Sequence, residues 1–97
     1  MAKLISLTRA NDGQHKYTAV VEKDGTNHTI HFGSIGYQDF TKHRNPQRKQ
    51  LYLGRHRYRE NWNASGVTTG GFWARWLLWN KETISASLAD VKERFNL

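Results

Sequence analysis

Residues 15–33 read HKYTAVVEKDGTNHTIHFG, two runs rich in β-branched and aromatic residues on either side of Asp24-Gly25. An Asp-Gly pair tolerates positive φ at both central positions of a two-residue turn, the geometry whose twist suits a β-hairpin. That turn sets the register. With Lys23 opposite Thr26, Tyr17 meets Phe32, Ala19 meets Ile30 and Val21 meets His28 on one face, which is expected to be the core. Thr18 with His31, Val20 with Thr29 and Glu22 with Asn27 form the other face, left to solvent or a partner.

Upstream, KLISLT (3–8) is a candidate third strand, separated from the hairpin by the turn-forming run RANDGQ (9–14). Downstream, HFGSIGYQDFTKH (31–43) is a corner. Gly33 and Gly36 supply backbone angles that a Cβ would forbid, and Phe32, Tyr37 and Phe40 are expected to seat it. Asn45-Pro46 follows as an N-cap with proline at the first helical position, opening a helix over 46–61. The spacing puts Leu51, Tyr58 and Trp62 on its packing face, with Arg48, Tyr52, Arg55, His56 and Arg59 around the other. Gly54 costs that helix about 1 kcal/mol relative to Ala and marks either a close approach or a break.

NASGVTTGG (63–71) is a polar, Gly-rich loop, and FWARWLLWN (72–80) a short helix apolar on nearly every side. Thr83 caps a last helix over 84–95, with Ile84, Leu88, Val91 and Phe95 at helical spacing. The expected fold is a single compact α+β domain over 1–97: a small antiparallel hairpin sheet of two or three strands packed on about three α-helices.

Composition narrows the chemistry. Ninety-seven residues without cysteine give a thin core, no disulfides and no thiolate metal site. The N-terminal apolar run is too short for a signal peptide and nothing approaches a membrane span, so a soluble, unexported protein is expected. Fifteen Lys and Arg against eight Asp and Glu give a net charge of +7, which favours a polyanionic partner. Lys42, Arg44, Arg48, Lys49, Arg55, Arg57 and Arg59 lie between Asp39 and Glu60 with no acid between. Such clustering makes a local field. With Tyr52 and His56 interleaved as second-rank contacts, this segment is the expected nucleic-acid-binding surface, double-stranded DNA being the expected partner, through phosphate contacts with limited sequence preference.

Two other readings compete. Trp73, Trp76 and Trp79, with Phe72, Leu77 and Leu78, carry the largest apolar area of any segment, and are expected mainly as core. Helical spacing aligns Phe72, Trp76 and Trp79, leaving Trp73 off the stripe as the first choice for a homo-oligomer or protein-partner interface of a virion structural or host-interaction module. A metal-dependent nuclease would draw on His31, Asp39 and His43. His28 and His31, three apart on one strand, point to opposite faces and suit no common metal. No strained nucleophile motif or phosphate-binding glycine loop is present, so no catalytic residue, metal or cofactor is assigned.

With HFGSIGYQDFTKH, RHRYRENW (55–62) and GGFWARWLLWN (70–80) in view, the chain resembles a family of small, basic, uncharacterised proteins of large DNA viruses, algal and giant viruses among them. The likeness covers roughly residues 16–95. It implies a viral setting, within the virion or the host cytoplasm or nucleus, and no catalytic residue. A second likeness is to the Trp-Gly-Arg type of DNA-associated domain, whose hairpin ends in Trp-Gly-Arg-x-Gly; the run here is Phe32-Gly33-Ser34-Ile35-Gly36, with Ser34 in place of the arginine, and implies a shared hairpin shape only.

Overall fold

Asp24 and Gly25 both take positive φ, 54° and 79°, and the two-residue turn they make joins β2 (His15–Lys23) to β3 (Thr26–Ser34). The strands pair antiparallel with Tyr17 on Phe32, Ala19 on Ile30 and Val21 on His28, the register the turn dictates. The computed structural model describes residues 2–97. A third strand, β1 (Ala2–Arg9), pairs with β2 to complete a meander in the order β1-β2-β3. Its register shifts between Leu4 and Ser6. The bulge turns Ile5 outward and lets Leu4 and Leu7, three apart, both pack on the core cluster.

One face of the sheet is buried through Ala19, Val21, Ile30 and Phe32. Three helical pieces follow it: α1 (Phe40–His43), α2 (Pro46–His56) and, after a 3₁₀ turn at Ala64–Gly66, α3 (Gly70–Trp73). The last runs on as a π-helical turn over Ala74–Leu78, closed by the Trp79 N–H donating to the Ala74 carbonyl. The chain ends in α4 (Ile84–Phe95), capped by Thr83 as expected. The fold is thus the small α+β domain its sequence implies, the sheet backed by α3 and the π turn, with α4 packed on these in turn. Among the described residues no helix is long and apolar enough to cross a membrane.

Three expectations about this framework need correcting. Trp73, the first choice should any tryptophan face a partner, is fully buried, its ring 6.5 Å from that of Phe32 and its indole N–H donating to the Val67 carbonyl at 2.7 Å. Phe72, Trp76, Leu77 and Leu78 are buried beside it. The wider π turn breaks the 3.6-residue stripe, so nearly the whole segment becomes core and Trp73 offers no partner surface. Second, α2 stops at His56 rather than 61. Arg57 to Arg59 form a turn in which the Arg59 N–H reaches the His56 carbonyl, so Tyr58 and Trp62 never join a helical stripe with Leu51. Third, Tyr37 does not seat the corner. It is 76% exposed, whereas Phe32 and Phe40 are buried.

The corner is held by charge instead. Asp39 is buried and caps α1, accepting from the Thr41 backbone N–H at 2.9 Å and from the Thr41 hydroxyl. Lys16, from β2, donates to Asp39 at 2.6 Å and to the Tyr37 carbonyl at 2.5 Å. The half-buried Lys16 so bonded to buried Asp39 ties the corner to the sheet, and removing Lys16 would strand the Asp39 carboxylate. Gly33 and Gly36 have φ of 77° and 93°. A Cβ on Gly33 would lie 2.7 Å from the buried Leu78 side chain; one on Gly36 would meet nothing.

Candidate nucleic-acid interface

α2 is built by local chemistry. Asn45 caps it, its side-chain oxygen accepting from the Gln47 and Arg48 N–H groups, and Pro46 occupies the first turn. Arg55 and His56 in its last turn complement the negative end of the helix dipole.

The face it turns inward is the reverse of the one its spacing suggests. Leu51 is 59% exposed and Tyr58, beyond the helix, 87%. Tyr52 lies inward instead, flat on Trp79 with ring centroids 4.2 Å apart and planes 4° from parallel, and stacks in turn with His56 at 4.1 Å. Lys49 donates to the Asn80 carbonyl at 2.7 Å and sits over the Phe40 ring. Trp79, half-buried at the end of the π turn, supplies the flat surface on which Tyr52 rests, and a long amphipathic lysine can span the remaining gap. Burial pushes the Tyr52 phenol up, with the Glu60 charge adding to it. Burial likewise lowers the Lys49 ammonium, helped by the Arg75 and Lys81 charges. Of the expected contacts, then, Lys49, Tyr52 and His56 are scaffold, fixing the helix to the domain.

The other six are exposed: Lys42, Arg44, Arg48, Arg55, Arg57 and Arg59. Helical geometry places Arg48 and Arg55 on one flank of α2, two turns and roughly 10 Å apart along the axis, and Arg57 on the other. The first flank borders a cleft of about 530 Å³ between the helix and the corner. Arg55, Tyr52 and His56 form one wall, Tyr37 and Gln38 the other, with Trp79 and Leu78 among the remaining lining residues. Arg48 reaches across to Gln38, donating to its side-chain oxygen at 3.1 Å. Tyr37 and Gln38 are the contributors that sequence reasoning missed; an aromatic next to two turn-forming glycines looks like packing until its exposure is known.

Both carboxylates of the segment are engaged elsewhere. Asp39 is bound by Lys16 and Thr41, and Glu60 accepts from the Trp62 indole at 3.0 Å and pairs with His56 at 3.0 Å. Among the described residues, no acid lies within ion-pairing distance of any of the six exposed cations.

The residues of the metal reading are not brought together. His31 bonds to Thr18 at 2.8 Å on the open face of the sheet, Asp39 is held by Lys16, and His43 accepts from the Asn45 N–H while its ring packs 5.3 Å from that of Trp79. Among the described residues no three His, Asp or Glu side chains converge as a metal site.

Fold and surface define a small α+β domain displaying a basic helix on an aromatic support. Residues 5–56 match a family of unknown function, DUF5754, and since the match spans more than half of the chain, the chain belongs to that family. No curated protein and no solved structure matches it. The matched region runs from β1 to the last residue of α2, taking in the sheet, the corner and the start of the basic surface, and stops short of the tryptophan-rich segment.

Proposed function

We propose that this chain is a non-catalytic nucleic-acid-binding protein that grips the phosphate backbone, DNA being the expected polymer, through Arg48 and Arg55 with Lys42, Arg44, Arg57 and Arg59 extending the field. One observation carries this reading: six exposed cations sit in an 18-residue segment whose two flanking carboxylates are both bonded internally, leaving the cations without ion-pair partners among the described residues. Such a cluster attracts polyanions and gains from counterion release, and guanidinium forks suit phosphate geometry. Specificity would be limited, because α2 lies along the domain with its aromatic side turned inward. The likeness to small basic proteins of large DNA viruses suits a soluble protein handling a viral genome.

The test is fluorescence anisotropy with labelled duplex and single-stranded 20-mers over a salt series, with and without magnesium. Changing Arg48 and Arg55 together to Gln should flatten the slope of log K against log salt by about 1.8 for a duplex. Between 50 and 200 mM salt, that flattening corresponds to roughly a twelvefold smaller loss of affinity. A folded double mutant with the parent's affinity and slope would remove this helix from the interface, and magnesium-dependent strand scission would replace binding with catalysis.

A further inference from the structure

Gly54 is unexplained by the fold. Glycine inside a helix is costly, yet this one is exposed and an added Cβ would have no atom within 4 Å. Neither of the reasons its sequence suggests holds: no neighbouring element approaches it, and α2 continues through it to His56. It lines a cleft of about 460 Å³ on the flank of α2 opposite Arg48 and Arg55. Trp62 lines this cleft too, its indole N–H held by Glu60, which fixes the ring. Arg75 sits beside it, its guanidinium 5.4 Å from the Trp62 ring centre and 4.2 Å from that of Trp76, with its Nε buried and lacking a partner. Gln50 and Asn63 present amides there, and Arg57 a guanidinium.

We propose that this cleft receives one unstacked nucleobase of a bound single strand, with its adjoining phosphate on Arg57. The proposal rests on the reading that α2 meets nucleic acid, and deepens it by naming the state of the strand. A fixed indole and a planar guanidinium suit the flat face of a base, and amides offer both donors and acceptors to its edge. A missing side chain at Gly54 leaves the approach open. Glu60, the one acid of the cleft, already receives a hydrogen bond on one oxygen and pairs with His56 through the other, so it does not face the ligand as a free charge.

Gly54→Leu fills the entrance with a good helix former. The variant should keep or raise the melting temperature, while the ratio of single-strand to duplex affinity, measured with oligothymidylate and its duplex with oligoadenylate, falls about tenfold or more, within the range that base stacking supplies. In the parent protein, oligothymidylate should quench indole fluorescence, an abasic strand of equal length should not, and Trp62→Phe should abolish the quenching. A folded Gly54→Leu protein with an unchanged ratio, or equal quenching by the abasic strand, would overturn the cleft assignment while leaving phosphate binding intact. If Gly54→Leu does not fold, the quenching comparison alone decides. Failure of the parent to bind either strand or duplex would overturn both readings together.

Discussion

α2 contains no fully buried residue, yet it carries much of the proposed interface, so its attachment to the domain can be cut without cutting the core. Trp79 is the point at which to do so. Replacing it with Ala removes the ring beneath Tyr52, 4.2 Å away, and the ring beside His43, 5.3 Å away. An aromatic pair contributes about 0.5–1.5 kcal/mol beyond its area, and since only the Tyr52 pair lies on α2, the His43 pair belonging to α1, α2 should become easier to open by about 0.5–1.5 kcal/mol. Lys49 to Asn80, Arg48 to Gln38 and His56 to Glu60 remain as its side-chain tethers. Hydrogen exchange followed residue by residue should show amide protection across residues 50–56 falling roughly 2- to 12-fold, since each 1.4 kcal/mol is a factor of ten. Amides of Ala19, Val21, Ile30 and Phe32 should change little, and nucleic-acid affinity should fall with the protection of α2. An equal drop in sheet and helix would refute the reasoning, because it would make Trp79 part of the cooperative core rather than a local mount.

Trp73→Ala is the opposite case. Its ring is fully buried and its indole N–H bonded, so about 3–5 kcal/mol should be lost globally, seen by calorimetry as a large fall or loss of the transition, with no change of oligomeric state in sedimentation. Gly33→Ala should destabilise more than Gly36→Ala, by about 1–3 kcal/mol in urea titration, because both have positive φ but only Gly33 faces a packed neighbour, the buried Leu78. His43 should give a pH signature. Burial lowers its folded pKa from 6.5, the Arg48 charge adding to this and Asp39 opposing it. The unfolded chain then binds the proton more readily, so stability should fall as pH drops below about 6.5, until the folded pKa is reached. His43→Gln should flatten that slope; an unchanged slope would place the titration elsewhere.

What the sequence decided by itself is local. Asp24-Gly25 fixed the hairpin and its register, because a two-residue turn with two positive φ angles leaves the strands only one way to pair. Asn45, Pro46 and Thr83 fixed where helices begin, because a cap needs only its own next turn. The absence of acids between residues 39 and 60 fixed where positive charge would accumulate. Tertiary structure alone decided which way the basic helix faces. Periodicity sorts residues into stripes but does not say which stripe finds a partner; Tyr52 and Lys49 won over Leu51 because Trp79 and the Asn80 carbonyl lay within their reach. The tryptophan segment was legible as core, but only the tertiary structure put Trp73 there along with Trp76, since a π turn rotates side chains off the spacing that any fixed helical period predicts. Last, it left the exposed cations without ion pairs among the described residues, because Asp39 is bonded by Lys16, 23 residues earlier in the chain, and Glu60 is engaged by His56 and Trp62.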